Sequence, residues 1–283
     1  MRPGLSAPGS APSEAPEDRE PFEELADDVF VWWGDLGVHE QTNVGVVLSA
    51  GATVVIDSNF PWAAERLVRT ISANGWGPVT HVVNTHYHVD HSMGNGVFAA
   101  AGATIVGAAG QGAELRAKGQ EDAVVQTGSE SDLLMPPALE FSGELHFFRP
   151  DLILRSVEPA HTASDVVAWL PESRVLFVGD LAVNWEHGNN LSDTDADIPG
   201  WLRVLEQCIA LDPAVVVPAH GARMTADDLR AQRDFIAELW DHVRSGDPDR
   251  PDEFIRRHPR FVADEKQYAE MADSLRAAAG ERG

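Results

Sequence analysis

Apolar positions along this chain fall into two rhythms: short β-branched runs, and longer stretches with an apolar residue every three or four positions. The first is the signature of strands and the second of amphipathic helices. Val29-Phe30-Val31-Trp32-Trp33 reads as a strand, residues 34–43 as a loop, and Val44 to Leu48 as the next strand. Ala50-Gly51-Ala52 then turns the chain back into Thr53-Val54-Val55-Ile56-Asp57, the pattern of a hairpin. Pro61 suits the first turn of a helix whose stripe is Ala63, Leu67, Val68 and Ile71, ending near Ala73. A buried strand is predicted over Val79-Thr80-His81-Val82-Val83-Asn84, a short helix from Gly94 to Ala101, a strand from Thr104 to Val106 and a helix over 108–124. Residues 125–137 keep no period and are expected to form a surface excursion. Strands dominate next, over 139–141, 144–148, 152–157, 165–170 and 175–178, followed by a helix over 200–211 and a strand over 214–217. Thr225-Ala226-Asp227-Asp228 has the form of a capped helix start, with the helix running to about Val243. One or two amphipathic helices are expected between Asp252 and Ala279. The strand–helix rhythm thus occurs twice, before and after residue 138.

Composition narrows the function. With 283 residues and 43% apolar side chains, the chain can bury one large α/β domain or two small ones. Its formal charge of −24, from 45 acids against 21 bases, opposes nucleic acid, whose phosphates need clustered Lys and Arg. It equally opposes anionic membrane surfaces. No run approaches the ~18 consecutive apolar residues of a membrane span. Residues 1–20 are rich in Pro, Ser, Ala and Glu and read as a disordered leader rather than an export signal. A cytoplasmic protein, monomer or homodimer, is expected. The single cysteine, Cys208, lies in an apolar helical pattern with Trp201, Leu202, Leu205 and Ile209, which favours a buried thiol over a nucleophile.

The candidate chemistry centres on Thr85-His86-Tyr87-His88-Val89-Asp90-His91, directly after a buried strand. Side chains alternate along a strand, so His86 and His88 point one way and Tyr87 another. Asp90 and His91 lie on the following turn, placed to serve a second cation. Imidazole nitrogen and carboxylate oxygen are ready ligands for Zn²⁺. Three more polar residues stand at strand ends opening into small-residue turns: His161 in Pro159-Ala160-His161-Thr162, Asp180 in Val178-Gly179-Asp180-Leu181, and His220 in Pro218-Ala219-His220-Gly221. Singly each has a plain explanation, a capping aspartate or a histidine held by backbone. Together they matter, because strand ends on one sheet edge converge on one crevice.

These motifs, in this order, resemble the metallo-β-lactamase-fold hydrolases over roughly residues 24–240. The resemblance implies an α/β (α+β) four-layer αββα sandwich with a C-terminal helical extension. The expected division is a leader over 1–22, a hydrolase domain over 23–245 and the extension over 246–283. Carried over, His86, His88 and His161 would hold one zinc, Asp90, His91 and His220 a second, and Asp180 would bridge both. Asp57 fits the family's structural acid beside the metal loop, a partner for fixing imidazole tautomers. Two Zn²⁺ per chain are expected, with iron or manganese as alternatives. Such a pair would acidify a shared water for attack on an acyl carbon, with Asp90 and Asp180 catalytic, Asp90 orienting the nucleophile. The reaction expected is cleavage of an ester, thioester, lactone or amide in a small molecule.

The departures from the family's branches are informative. Lactamases of this fold generally lack the bridging aspartate, so β-lactamase activity is expected only as a side reaction. His88 in place of glutamate speaks against the di-iron oxygen-reducing branch, and the acidity against the RNA-processing nucleases. The glutathione-thioester hydrolases share the metal set but use a basic C-terminal region, whereas Arg256, Arg257, Arg260 and Lys266 here stand among many acids. Persulfide dioxygenases share the ligands with a single iron and remain the alternative enzyme; a metal-site binding module is the non-enzyme alternative. Trp185, His187, Asn189 and Asn190 either wall the pocket or form an ordinary connection, and Phe60 and Trp62 are either rim or core. His39, His81, His146, His242 and His258 lack partnered spacing and are read as structural or surface histidines.

Overall fold

The computed structural model describes residues 22–35, 42–185, 191, 196–245 and 251–278. Most of the expected leader, His39, His187, Asn189 and Asn190 lie outside the described residues. One sheet runs in chain order through β1 (Glu23–Ala26), β2 (Val29–Trp32), β3 (Val44–Ser49), β4 (Ala52–Ile56), β5 (Val79–Val83), β6 (Thr104–Ala108) and β7 (Leu139–Phe141). Its first four strands pair antiparallel and its last four parallel. Parallel neighbours need crossovers. These are α1 (Pro61–Ala73) between β4 and β5, α2 (Val89–Ser92) and α3 (Asn95–Ala100) between β5 and β6, and α4 (Gln111–Thr127) before β7.

The second sheet comprises β8 (Glu144–Phe147), β9 (Leu152–Ser156), β10 (Val166–Leu170), β11 (Val175–Asn184) and β12 (Val215–Gly221), with β12 at one edge. It is antiparallel except for β11 and β12, which pair parallel through the crossover helix α5 (Ile198–Ala210). The chain continues through α6 (Ala226–Arg244), α7 (Pro251–Arg257) and α8 (Glu265–Ala278).

Strand alternation produces the layers. On β10, Val166, Ala168 and Leu170 enter a cluster with Val54, Ile56 and Val106 of the first sheet, while Val167 and Trp169 face Trp201, Leu205 and Phe235 of the helices. On the first sheet, Val55, Val82 and Ile105 turn outward onto Leu67 and Ile71 of α1 and Phe98 of α3. Three apolar clusters therefore separate four layers, helices–sheet–sheet–helices, the αββα sandwich expected. Phe254, Phe261, Tyr268 and Met271 of the C-terminal region join the same cluster as Trp201 and Val216. No helix of the described residues is long and apolar enough to cross a membrane.

The structure differs from expectation at three places. The helix expected to end near residue 124 runs to Thr127, taking part of the expected excursion into α4. Expected to end at residue 178, β11 continues to Asn184 through a register shift at Gly179, so Asp180 lies within a strand. Likewise β12 runs on through Pro218 to Gly221. Pro218 is tolerated because β12 is an edge strand, where a missing N–H leaves no ladder bond unmade.

Candidate metal centre

All seven candidate ligands meet at one end of the sandwich. His86 and His88 follow the C-terminal end of β5, and Asp90 and His91 lie on the single turn of α2. His161 sits in the loop between β9 and β10, Asp180 in β11 and His220 in β12. All seven are buried, from His91 at 0% to Asp180 at 8% exposure. Donor atoms within 4.8 Å of one another form two groups: His86, His88, His161 and Asp180, and then Asp90, His91 and His220.

The geometry within each group is close. His86 Nε2 lies 2.8 Å from His88 Nδ1, and His161 Nε2 lies 3.2 Å from that same Nδ1. In the second group, Asp90 Oδ2 is 3.2 Å from His220 Nε2 and 3.5 Å from His91 Nε2. Asp180 joins the groups: its Oδ2 is 3.6 Å from His161 Nε2, and its Oδ1 is 3.3 Å from His220 Nε2 and 3.5 Å from His91 Nε2. One oxygen therefore faces each set of imidazoles. The close approach of β11 depends on Gly179, whose φ is +55° and where a Cβ would fall 2.7 Å from Thr85 Cβ. Only glycine meets both conditions without strain.

Outer contacts hold the candidate ligands in place. Asp57 Oδ2 is 2.9 Å from His91 Nδ1, and Asp57 accepts hydrogen bonds from Thr85 N and Thr85 Oγ1 at 2.7 and 2.9 Å. Its place beside the metal loop is the one expected from the sequence. With Nδ1 engaged, His91 turns Nε2 inward, where this buried atom has no hydrogen-bond partner among the described residues. A histidine bonded to a carboxylate on one nitrogen, with the other aimed at carboxylate oxygens, suits a cation. Asn84 and Asn95 exchange amide hydrogen bonds at 2.8 and 3.0 Å, and Asn84 also donates to the His91 carbonyl at 3.0 Å. Asp165 accepts from Thr162 N and Thr162 Oγ1 at 2.9 and 2.7 Å, pinning the turn after His161, and burial pushes its carboxyl up to about 7.

The buried charges are strongly coupled. Burial, then the imidazoles of His91, His88 and His161, hold His86 well below its ordinary 6.5, which leaves it neutral. Burial opposes charge on His220, but Asp180 and Asp90 override it and push this group up to about 10. Burial also opposes ionisation of Asp90 and Asp180, yet His91 and His220 hold both below the usual carboxylate range. The carboxylates are ionised and the cluster draws positive charge. Five imidazoles and two carboxylates, buried and mutually oriented, fit a pair of divalent cations of the borderline kind that imidazole favours.

The other histidines that are described stay outside both groups: His146 pairs with Glu144 at 3.0 Å, His258 with Glu238 at 2.9 Å, His81 packs on Phe147, and His242 on Phe254 and Tyr268. Phe60 is core, with Val89 and Met93, while Trp62 stacks on it and is 39% exposed. The Trp185 ring lies 5.0 Å from that of His220, at the edge of the centre. Thr42, Thr85, Asn84 and Asn95 were not legible as site residues, because isolated small polar residues have no spacing that announces a buried role.

The model of the metallo-beta-lactamase superfamily matches residues 37–220, and the chain belongs to that superfamily. It is 33% identical over 134 residues to a hydroxyacylglutathione hydrolase of Rhodospirillum rubrum, covering 47% of this chain and 43% of that protein. It is 31% identical over 137 residues to a hydroxyacylglutathione hydrolase of Methylococcus capsulatus, covering 46% and 43%. The chain thus matches less than half the length of either relative. Among solved structures, a metallo-beta-lactamase from Pontibacter korlensis superposes with a TM-score of 0.63 at 21% identity, over 76% of this chain and 98% of that one.

Proposed function

We propose that this chain is a dinuclear metal-dependent hydrolase of a small-molecule acyl bond, with a thioester as the leading substrate class. The observation that supports it most directly is the carboxylate of Asp180, which presents one oxygen to each group of imidazoles. The two curated relatives, both named as hydrolases of acylated glutathione, favour a thioester over a lactone, ester or amide.

In this reading His86, His88 and His161 would hold one cation, Asp90, His91 and His220 the other, and Asp180 would offer an oxygen to each. When bound, the pair supplies an acidified water and a Lewis-acid contact for the carbonyl oxygen. The protein's own work is positional. Asp57 and Thr85 fix the tautomer of His91, while Asp180 would set the separation of the two sites and Asp90 would orient an attacking water. Burial of all seven side chains strengthens each of these contacts by excluding bulk water.

Metal analysis of the purified protein, with a hydrolysis screen across thioesters, lactones, esters and β-lactams, tests the proposal. About two zinc per chain and metal-dependent thioester turnover are expected. A single iron with sulfur-oxygenating activity would replace this reading with a persulfide dioxygenase, and no tight metal would replace it with a binding module.

A further inference from the structure

One face of α4 is polar where a packed helix is usually apolar. Glu114, Lys118, Asp122 and Gln126 recur every four residues. Four residues turn an α-helix about 40° past a full turn, so such a stripe winds slowly and follows one neighbouring segment. That segment is the metal-binding loop and the turn after His161. Glu114 accepts from Ser164 Oγ, and the Lys118 ammonium lies 5.4 Å from the Tyr87 ring. Asp122 Oδ2 accepts from Val89 N at 2.8 Å. Gln126 Nε2 donates to Asp90 Oδ1 at 2.9 Å.

The last two contacts act on the site itself. Val89 N is the first N–H of α2, a group without an intrahelical partner, and His88 gives it no side-chain cap. Asp122 supplies that cap from another helix. The amide of Gln126 has two hydrogens, and Asp90 Oδ1 and the Asp122 carboxylate, at 3.1 and 3.2 Å, use both. Asp122 in turn anchors Gln126. Rotation of an aspartate carboxylate about its last bond is broad and soft, so its plane must be set from outside. Gln126 holds Oδ1, while Oδ2 lies 3.2 Å from Thr42 Oγ1 and from His220 Nε2. A neutral amide does this without placing a positive charge beside a ligand, as lysine or arginine would.

We infer that Gln126, anchored by Asp122, is a positioning residue that fixes the carboxylate plane of Asp90 and so sets the affinity of the cation held with His91 and His220. This rests on the reading of that trio as a ligand set. Gln126→Met keeps the length, Gln126→Leu shortens the side chain by one atom, and both keep the helix propensity and remove the donor. Stepwise Zn²⁺ binding, measured by competition with a chromophoric chelator, is compared among the wild type, both variants and Asp90→Asn. One of the two dissociation constants is expected to rise about 10- to 100-fold in both variants. It should be the same step that Asp90→Asn weakens, with the other constant moving less than about 2-fold. The melting temperature of the metal-free variants should stay close to that of the wild type, which separates positioning from general loosening. Two wild-type cations with both constants unchanged in the variants, or equally weakened, overturn this inference alone. A wild type that takes up no cation at the Asp90 trio overturns the underlying reading, and this inference with it.

Discussion

Cys208 and Asp180 are both buried ionisable groups, and their surroundings give them opposite fates. Cys208 is 2% exposed on the inner face of α5, and burial pushes its thiol up to about 12. The reactive thiolate is therefore disfavoured at ordinary pH. An aromatic disulfide reagent at about pH 8 should leave the folded protein unlabelled and modify it fully after unfolding. Rapid labelling of native protein would contradict the buried position. Cys208→Ser should leave turnover intact and lower stability by about 1–3 kcal/mol, read from denaturant curves, since a hydroxyl costs more to bury than a thiol. Asp180 is held ionised by His220 and His91 and faces both groups of imidazoles. Asp180→Ala should therefore cut turnover by more than the roughly 100-fold that an outer partner costs, and bind one cation fewer in a chelator titration. Unchanged activity would remove Asp180 from the mechanism. The seven candidate ligands were legible because dense histidines and small-residue turns leave a pattern. Thr85, Asn84 and Gln126 were not, because their contacts arise only when separate segments are brought together.

Among the elements, legibility followed local chemistry. Helix α1 matches its expected span of Pro61 to Ala73, because its proline start and apolar stripe are both local signals. The continuations of β11 and β12 were missed, because Gly179, Asp180 and Pro218 are residues that strands usually avoid. Those departures coincide with the candidate site, where the register shift at Gly179 and the edge position of Pro218 place the candidate ligands Asp180 and His220. Helix α6 is the contrasting case. Its capping box was readable, and Thr225 and Asp228 make both reciprocal bonds, with Arg260 adding a contact to Asp228 at 2.8 Å. Partial burial opposes charge on Asp228, but Thr225 and Arg260 override it and hold its carboxyl below the ordinary 3.8. A lowered carboxylate stabilises the folded state above its unfolded pKa, and that gain is lost as pH falls through the folded value. Thr225→Ala should thus cost about 1 kcal/mol near neutrality. The difference from wild type should shrink below about pH 4, as denaturation midpoints across pH would record. A gap that widens on acidification would mean that the cap acts through something other than the ionised Asp228.

At the scale of the molecule, the candidate centre is also a seam. His86, His88, Asp90 and His91 follow a strand of the first sheet, while Asp180 and His220 lie on strands of the second and His161 on a loop that joins two of its strands. Cations bound there would cross-link the two sheets at one end, where the apolar cluster between them gives way to polar ligands. A ligand that binds only the folded chain stabilises it by about 4 kcal/mol at a thousandfold excess over its dissociation constant. For a protein of this size each kcal/mol moves the melting temperature by about 2–4 °C. Chelator-treated protein should therefore melt on the order of 10 °C below the zinc-loaded form. The charge of −24 demands a control, because any divalent cation screens an acidic surface and relieves its self-repulsion. Mg²⁺ provides it: this ion screens as well as Zn²⁺ but prefers an octahedron of oxygens, which five imidazoles do not supply. Stoichiometric Zn²⁺ should restore the melting temperature, whereas the same concentration of Mg²⁺ should not. Equal recovery with both ions would trace the effect to surface charge, and the two sheets would then owe nothing to a metal pair.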